Sequence, residues 1–179
     1  GERFVTLDGV ERTLSAADLM IANTEKSMCL AGVFGGEESG VTENTVDVFL
    51  ESASFNTVSI RKSSKRHTLK TDASFRYERG ADPLVVEYAA KRAALLIQEL
   101  AGGKIVGKVQ EFYPEKIEKK QVELDYDRIE AFVGKKIGHD VIEGILEALA
   151  YEFVEKKDNG AVVAVPSYMV DVYRECDIV

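Results

Sequence analysis

The chain lacks most of the features that announce a function quickly. Among 179 residues it has two cysteines, Cys29 and Cys176, and their separation fits no zinc or redox spacing. Both read as reduced thiols in a cytoplasmic protein, Cys29 as a small core residue within an apolar run. No apolar run approaches the roughly 20 residues that a membrane span needs. The opening Gly1-Glu2-Arg3-Phe4 shows no signal peptide. Positive charge is not in excess: the formal charge is −8, which argues against tight non-specific binding to nucleic acid by the chain as a whole. The glycine-rich Gly32–Gly36 is neither a phosphate loop nor a dinucleotide fingerprint, because no Gly-Lys-Ser/Thr follows and the glycine spacing is wrong. No Ser–His–Asp set is evident.

What remains is an ordinary globular composition, 45% hydrophobic and 30% charged, in a length that suits one or two domains. The densest stretch is Leu69–Pro83, where charge, small residues and aromatics crowd together. Thr71-Asp72-Ala73-Ser74 places hydroxyls and a carboxylate around a single methyl, which suits the floor of a small pocket. The same residues also suit an ion-pair knot of Asp72, Arg76, Glu78 and Arg79 that fixes a loop.

Taken in order, Phe4–Leu7 and Val10–Leu14 flank Asp8-Gly9, a strong hairpin signal. Leu19–Ala22 and Met28–Val33 read as further strands. Gly32-Val33-Phe34-Gly35-Gly36 then lets the backbone pass close to a ligand, or simply bend sharply. Val46–Phe55 reads as a buried strand interrupted by Glu51, whose carboxylate is either paired inside or directed to solvent on the alternate face. Asn56 caps a helix expected to run through Ser64, with Val58 and Ile60 inward. This helix and its exit carry Arg61, Lys62, Lys65 and Arg66, a solvated face or a local RNA phosphate contact. His67 is taken as a surface histidine.

Asp82–Ala101 is the clearest helix, with Asp82-Pro83 at its start, Gly102-Gly103 at its end and a broad buried stripe between. Lys104–Phe112 reads as a strand. The linker is placed at residues 114–120, within the Pro114-containing, alternately charged Tyr113–Lys120, which divides the chain into 1–113 and 121–179. The second part reads as strand, helix (Asp125–Val133), helix (Asp140–Ala150) and a hairpin about Asp158-Asn159-Gly160. Ile129, Phe132 and Val133 are the apolar residues of the first helix. Val141, Ile142, Ile145, Leu146 and Leu149 lie on the core side of the second. The order is winged-helix-like, but His139–Glu155 has no Lys or Arg and five acids, so DNA recognition is excluded and a scaffold or protein-contact role fits. The fold class is thus α+β: a mixed-sheet α/β domain followed by a small winged-helix-like one.

Several stretches together resemble the β subunits of bacterial phenylalanyl-tRNA synthetase. They are Leu7-Asp8-Gly9-Val10-Glu11-Arg12, Leu30–Gly36 with Glu37-Glu38-Ser39, Leu50-Glu51-Ser52-Ala53, Thr71–Gly80, Pro166-Ser167-Tyr168, Asp171 and Glu175-Cys176-Asp177. Their joint order covers nearly the whole chain. The resemblance implies that 1–113 is most of the fused third and fourth domain, which carries the editing site, and that 121–179 is most of the fifth. On this likeness the chain is an excised fragment. The implied editing pocket is Gly35, Glu51, Thr71 and Ala73, acting by water-mediated hydrolysis of mischarged tyrosyl-tRNA(Phe) with no covalent nucleophile. Gly35 would leave room beside the main chain, Glu51 would accept from the tyrosine hydroxyl, Thr71 would supply a polar wall and Ala73 would keep the pocket open.

The likeness further implies a heterotetramer with an α subunit that binds ATP and attaches phenylalanine to tRNA(Phe). It implies an Mg2+ site shared with that subunit, for which Asp171 and Asp177 match two ligands. Met169 stands where the family often has arginine. A free-standing deacylase and a non-catalytic scaffold are the alternatives. The attached fifth-type domain speaks against the first, and joint retention of the four pocket residues against the second.

Overall fold

A computed structural model describes residues 1–179, which divide into two compact units, Gly1–Gly107 and Lys108–Val179. Both are α+β, and every strand pairing is antiparallel.

In the first unit the hairpin β1 (Arg3–Val5) and β2 (Glu11–Thr13) closes where expected, with Gly9 at φ +72° in the turn. Arg12 stiffens it. Its guanidinium donates to Thr6 Oγ1 at 2.9 Å, to Asp8 at 2.7 Å and to the carbonyl of His67 at 2.8 Å. Strands β3 (Met20–Ala22), β4 (Ser27–Leu30) and β5 (Phe34–Gly35) form a second small sheet in that order. The hairpin joins it through the Leu7 amide, which donates to the Gly35 carbonyl at 3.0 Å.

Helix α1 (Thr57–His67) is capped by Asn56, whose side chain accepts from the Ser59 amide at 3.0 Å. It runs one turn beyond Ser64 because Ser64 Oγ and the Ser64 carbonyl both bond the returning Leu69 main chain. Ile60 faces inward, whereas Val58 is half exposed. Helix α2 (Asp72–Tyr77) follows. Phe4, Leu14, Leu30, Val33, Ile60 and Leu69 make the core, with Phe55 and Tyr77 packed on it. Gly32, at φ +65°, lies where a methyl would meet Ile60 and Phe55 at 2.8 Å, so no larger residue fits without displacing the core.

Further expectations fail here. Val46–Phe55 is not a strand, and only its end, with Phe55, packs on the core: Val46 and Phe49 are more than 90% exposed. Its hydrophobic alternation finds no partner, since β4 is already flanked by β3 and β5, and an extended segment without a ladder leaves its backbone to water. Lys104–Phe112 is likewise irregular and exposed for the same reason. Helix α3 (Val86–Ala101), preceded by a 3-10 turn at Pro83–Val85 capped by Asp82, forms where expected but buries no residue completely. Alanine content, the Asp82 cap and Gly102 at φ +68° suffice to shape the helix, while Tyr88, Leu95 and Leu100 of its apolar stripe stay exposed.

The second unit contains β6 (Gln121–Asp125), α4 (Tyr126–Val133), α5 (His139–Ala148), β7 (Glu152–Lys157) and β8 (Gly160–Ala164), with sheet order β6-β8-β7. Asp125 caps α4 by accepting from the Arg128 amide at 3.1 Å. Glu130 accepts from the amides of Ile137 and Gly138 at 2.8 Å and so fixes the turn between the helices. The core is Val122, Leu124, Tyr126, Ile129, Ile142, Leu146, Tyr151, Ala161, Val163 and Val165. Phe132, Val133, Val141, Ile145 and Leu149 are about half exposed rather than core, because two short helices on a three-stranded sheet cover only one stripe of each helix. A register irregularity between Phe153 and Glu155 interrupts the pairing of β7 with β8.

Candidate functional site

Helix α2 is positioned by its first residues. Thr71 is the N-cap, its hydroxyl accepting from the Ser74 amide at 3.0 Å while Ser74 Oγ accepts from the Thr71 amide at 3.0 Å. The same Thr71 hydroxyl donates to the Val33 carbonyl at 2.6 Å. Two residues beyond Val33 comes Gly35, opposite Cys29 across the β4–β5 pair. The Thr71 hydroxyl therefore fastens the start of α2 to the chain two residues ahead of Gly35.

The space that Gly35 leaves is not empty. A methyl there would meet Leu7 Cδ1 at 2.9 Å, the end of a half-exposed side chain that can swing aside. Leu7 is a neighbour that sequence reasoning missed, its only signal being an apolar residue next to the Asp8-Gly9 turn.

Glu51 lies on the irregular segment and much of its surface is open. Even so, crowding by neighbouring atoms pushes its carboxyl above the usual range. Its charge reaches two other groups. Burial first, and then Glu51, pushes up both the Cys29 thiol and the Tyr77 phenol. Tyr77 closes α2 and donates to the Ala53 carbonyl at 3.1 Å, tying the Glu51 segment to that helix. Glu51 is thus linked to β4 and to the end of α2. Ala73 sits in the first turn of α2 and is exposed. None of the four residues lines either of the two principal cavities. One, of about 220 Å³, lies along Gly36–Ser39 and β1; the other, of about 420 Å³, lies in the second unit around Asp125, Arg128 and Glu175.

The ion-pair knot is smaller than the sequence suggests. Glu78 and Arg79 pair at 3.0 Å, whereas Asp72 and Arg76 form no ion pair. The buried cluster lies elsewhere. His67 is buried rather than on the surface, and its Nε2 is 2.7 Å from Asp18, which also receives Ser63 Oγ at 2.7 Å, the Ser15 amide at 2.8 Å and the Arg66 guanidinium. No local spacing announces a partner 49 residues away.

In the second unit Asp177 holds the Arg174 guanidinium at 3.1 Å and accepts from the Tyr173 and Arg174 amides. The Arg174 side chain and the Tyr173 amide hold its carboxyl down at about 2. Asp171 is exposed. No group of three or more acidic, histidine or cysteine side chains is placed to hold a metal ion, and two carboxylates do not make a cage for a hard, strongly hydrated cation. The residues present do not by themselves fit Mg2+.

Comparison with known proteins accounts for both units. A family model described as "B3/4 domain" matches residues 1–102, and one described as "tRNA synthetase B5 domain" matches residues 122–179. Over its whole length the chain is 48% identical to the phenylalanine–tRNA ligase beta subunit of Bacteroides fragilis strain YCH46. It is 43% identical to that of Porphyromonas gingivalis and 39% to that of Geobacter sulfurreducens. In each case it spans 22% of the relative's length. The chain belongs to the B3/4 domain family and carries a tRNA synthetase B5 domain behind it, in one continuous match to phenylalanine–tRNA ligase beta subunits.

Proposed function

We propose that this chain is the editing portion of a phenylalanyl-tRNA synthetase β subunit and that its first unit hydrolyses the ester of tyrosyl-tRNA(Phe). The observation that supports the reading is the Thr71–Val33 hydrogen bond, which ties the start of α2 to the chain two residues before Gly35. Water is the nucleophile, and the residues position rather than attack. Ala73 leaves room for the aminoacyl group, and Gly35 does so once the Leu7 side chain swings aside. Glu51 accepts from the tyrosine hydroxyl, which phenylalanine lacks. Crowding of the Glu51 carboxyl makes an unpaired contact costly, so the acceptor discriminates. Thr71 anchors the wall; its hydroxyl is already engaged on both sides.

The rest of the assembly follows as part of the same proposal. Phenylalanine attachment with ATP takes place on an α subunit within a cytoplasmic heterotetramer that binds tRNA(Phe). Asp171 and Asp177 contribute to an Mg2+ site only with donors from outside residues 1–179, and no step above depends on that ion.

The test is Ala73→Trp in the assembled enzyme. Ala73 is exposed, so an indole there obstructs the pocket without entering the core. Tyrosyl-tRNA(Phe) hydrolysis should fall at least tenfold, with phenylalanine attachment and thermal midpoint unchanged. Hydrolysis at the parent rate removes the first turn of α2 from the site.

A further inference from the structure

Residues 61–79 hold seven Lys or Arg and two acids, in a chain whose formal charge is −8. The fold sorts them. On α1 the buried residues are Ile60, Ser63, Ser64 and His67, and the basic ones are Arg61, Lys62, Lys65 and Arg66. At 3.6 residues per turn these sets occupy opposite faces, so the outer face of α1 is basic apart from the exposed Val58 in its first turn. Arg66 is taken up by Asp18, whereas Lys62, Lys65 and Lys70 are exposed and make no ion pair.

The basic face continues onto α2. Arg61 donates to the Glu78 carbonyl at 3.1 Å. Next to Glu78, the Arg79 guanidinium lies 3.5 Å from the centroid of the Phe75 ring, and its Nη1 also donates to the Phe75 carbonyl at 2.9 Å. Phe75 is 57% exposed, an aromatic plane held in place by a cation and open to solvent. It stands one helical turn from Thr71, since its amide donates to the Thr71 carbonyl at 2.9 Å.

Free ammonium groups on the outer face of one helix, with an exposed aromatic–guanidinium stack on the helix that Arg61 reaches, match single-stranded nucleic acid: cations follow the phosphates and the ring takes a base. An acidic protein partner would use the cations but has no need of the stack. We propose that the outer face of α1, with Phe75 and Arg79, is the track along which a single-stranded RNA end reaches α2. Arg61, Lys62 and Lys65 contact phosphates, and one base stacks on Phe75. The proposal rests on the editing reading for its direction, because the track ends one turn from Thr71 and Ala73.

The experiment measures binding apart from hydrolysis. Fluorescence anisotropy with a short labelled single-stranded RNA compares this 179-residue chain with the Lys62→Ala/Lys65→Ala double variant and with Phe75→Ala. A Lys135→Ala/Lys136→Ala double variant in the second unit is the control. All altered side chains are exposed, and circular dichroism confirms that each variant is folded. The Lys62/Lys65 variant should bind about tenfold or more weakly, with the slope of log affinity against log salt reduced by about 0.7 for each phosphate that is no longer neutralised. Phe75→Ala should weaken binding at least fivefold at an unchanged salt slope, and the control should match the parent. Equal loss in the control, no effect of Phe75→Ala, or a polyglutamate peptide bound as tightly as the RNA would overturn the proposal. In the assembled enzyme the Lys62/Lys65 change should raise KM for tyrosyl-tRNA(Phe) with kcat unchanged. RNA binding that depends on these residues without any hydrolysis refutes the editing reading alone. Hydrolysis at unchanged KM refutes the track alone.

Discussion

Thr71 donates to the carbonyl of Val33 at 2.6 Å, and that single bond fastens the start of α2 to the turn before β5. The same oxygen caps the helix. Thr71→Val should therefore cost about 1–3 kcal/mol of stability through the lost cap and the unpaired carbonyl. Thr71→Ser keeps both bonds and should lie within about 0.5 kcal/mol of the parent. Urea unfolding measures both. A destabilised serine variant would mean that the methyl, and not the hydroxyl, does the fastening.

Glu51 governs the discrimination between tyrosine and phenylalanine in the proposed function. Glu51→Ala in the assembled enzyme should slow tyrosyl-tRNA(Phe) hydrolysis and narrow its margin over phenylalanyl-tRNA(Phe) by about ten- to a hundredfold. Phenylalanine attachment should be untouched. Because burial raises the Glu51 pKa, the ionised acceptor is lost on acidification sooner than an ordinary carboxylate would be. Discrimination in the parent should thus decay at mildly acidic pH, and in Glu51→Ala it should be flat with pH. Equal pH profiles would exclude Glu51 as the acceptor.

Asp18 makes the first unit acid-sensitive. Its burial alone would raise its pKa, but the Ser15 amide, His67 and the Ser63 hydroxyl outweigh that and bring it to about 2, from an ordinary 3.8. A carboxyl depressed in the folded state stabilises above its unfolded pKa, and the contribution disappears as pH falls through the folded value. Roughly 2 kcal/mol should be lost between about pH 4 and pH 2. Asp18→Asn should be destabilised at neutral pH and lack that part of the acid dependence, as read from urea midpoints across the range.

These two acids show where the sequence was legible. The Asp8-Gly9 hairpin, the Asn56 and Asp82 caps and the helices of the second unit are written in neighbouring residues, and each formed within a few positions of its expected bounds. Glu51 and Thr71 carry only ambiguous local signals, a carboxylate in an apolar run and a hydroxyl beside a methyl; what decided between their readings was the resemblance of whole stretches. The Asp18–His67 pair was invisible because it is made across the fold. Val46–Phe55 misled for a related reason: alternation states what a segment could pair with, and the partner must come from elsewhere.

Gly160 supports the second unit. A methyl there would meet the Leu124 carbonyl oxygen at 2.0 Å, a backbone clash that no rotamer can relieve. Gly160→Ala should destabilise this unit by about 1–3 kcal/mol or more, by forcing β6 and β8 apart. Hydrogen exchange should show the loss in β6 and β8 while α1 and α2 stay protected.

The boundary between the units should be the first point of proteolytic attack. Residues 102–120 have no helix or strand and are mostly exposed. Limited trypsin digestion should cut among Lys104, Lys108, Lys116, Lys119 and Lys120 and leave two resistant pieces. Cleavage first at Lys91 or Arg92, inside α3, would show that this helix frays before the connection does.

The break in pairing between Phe153 and Glu155 has a bearing on crowded solution. Both β6 and β7 are border strands of the three-stranded sheet, and a regular border invites a second molecule to extend the ladder. On β7 the irregularity interrupts the row of free amides and carbonyls, and Glu155, Lys156 and Lys157 follow it at once. An arriving copy would find a kinked template and a block of charge to desolvate. The border strand whose register is broken is thereby the one that resists extension by a second sheet.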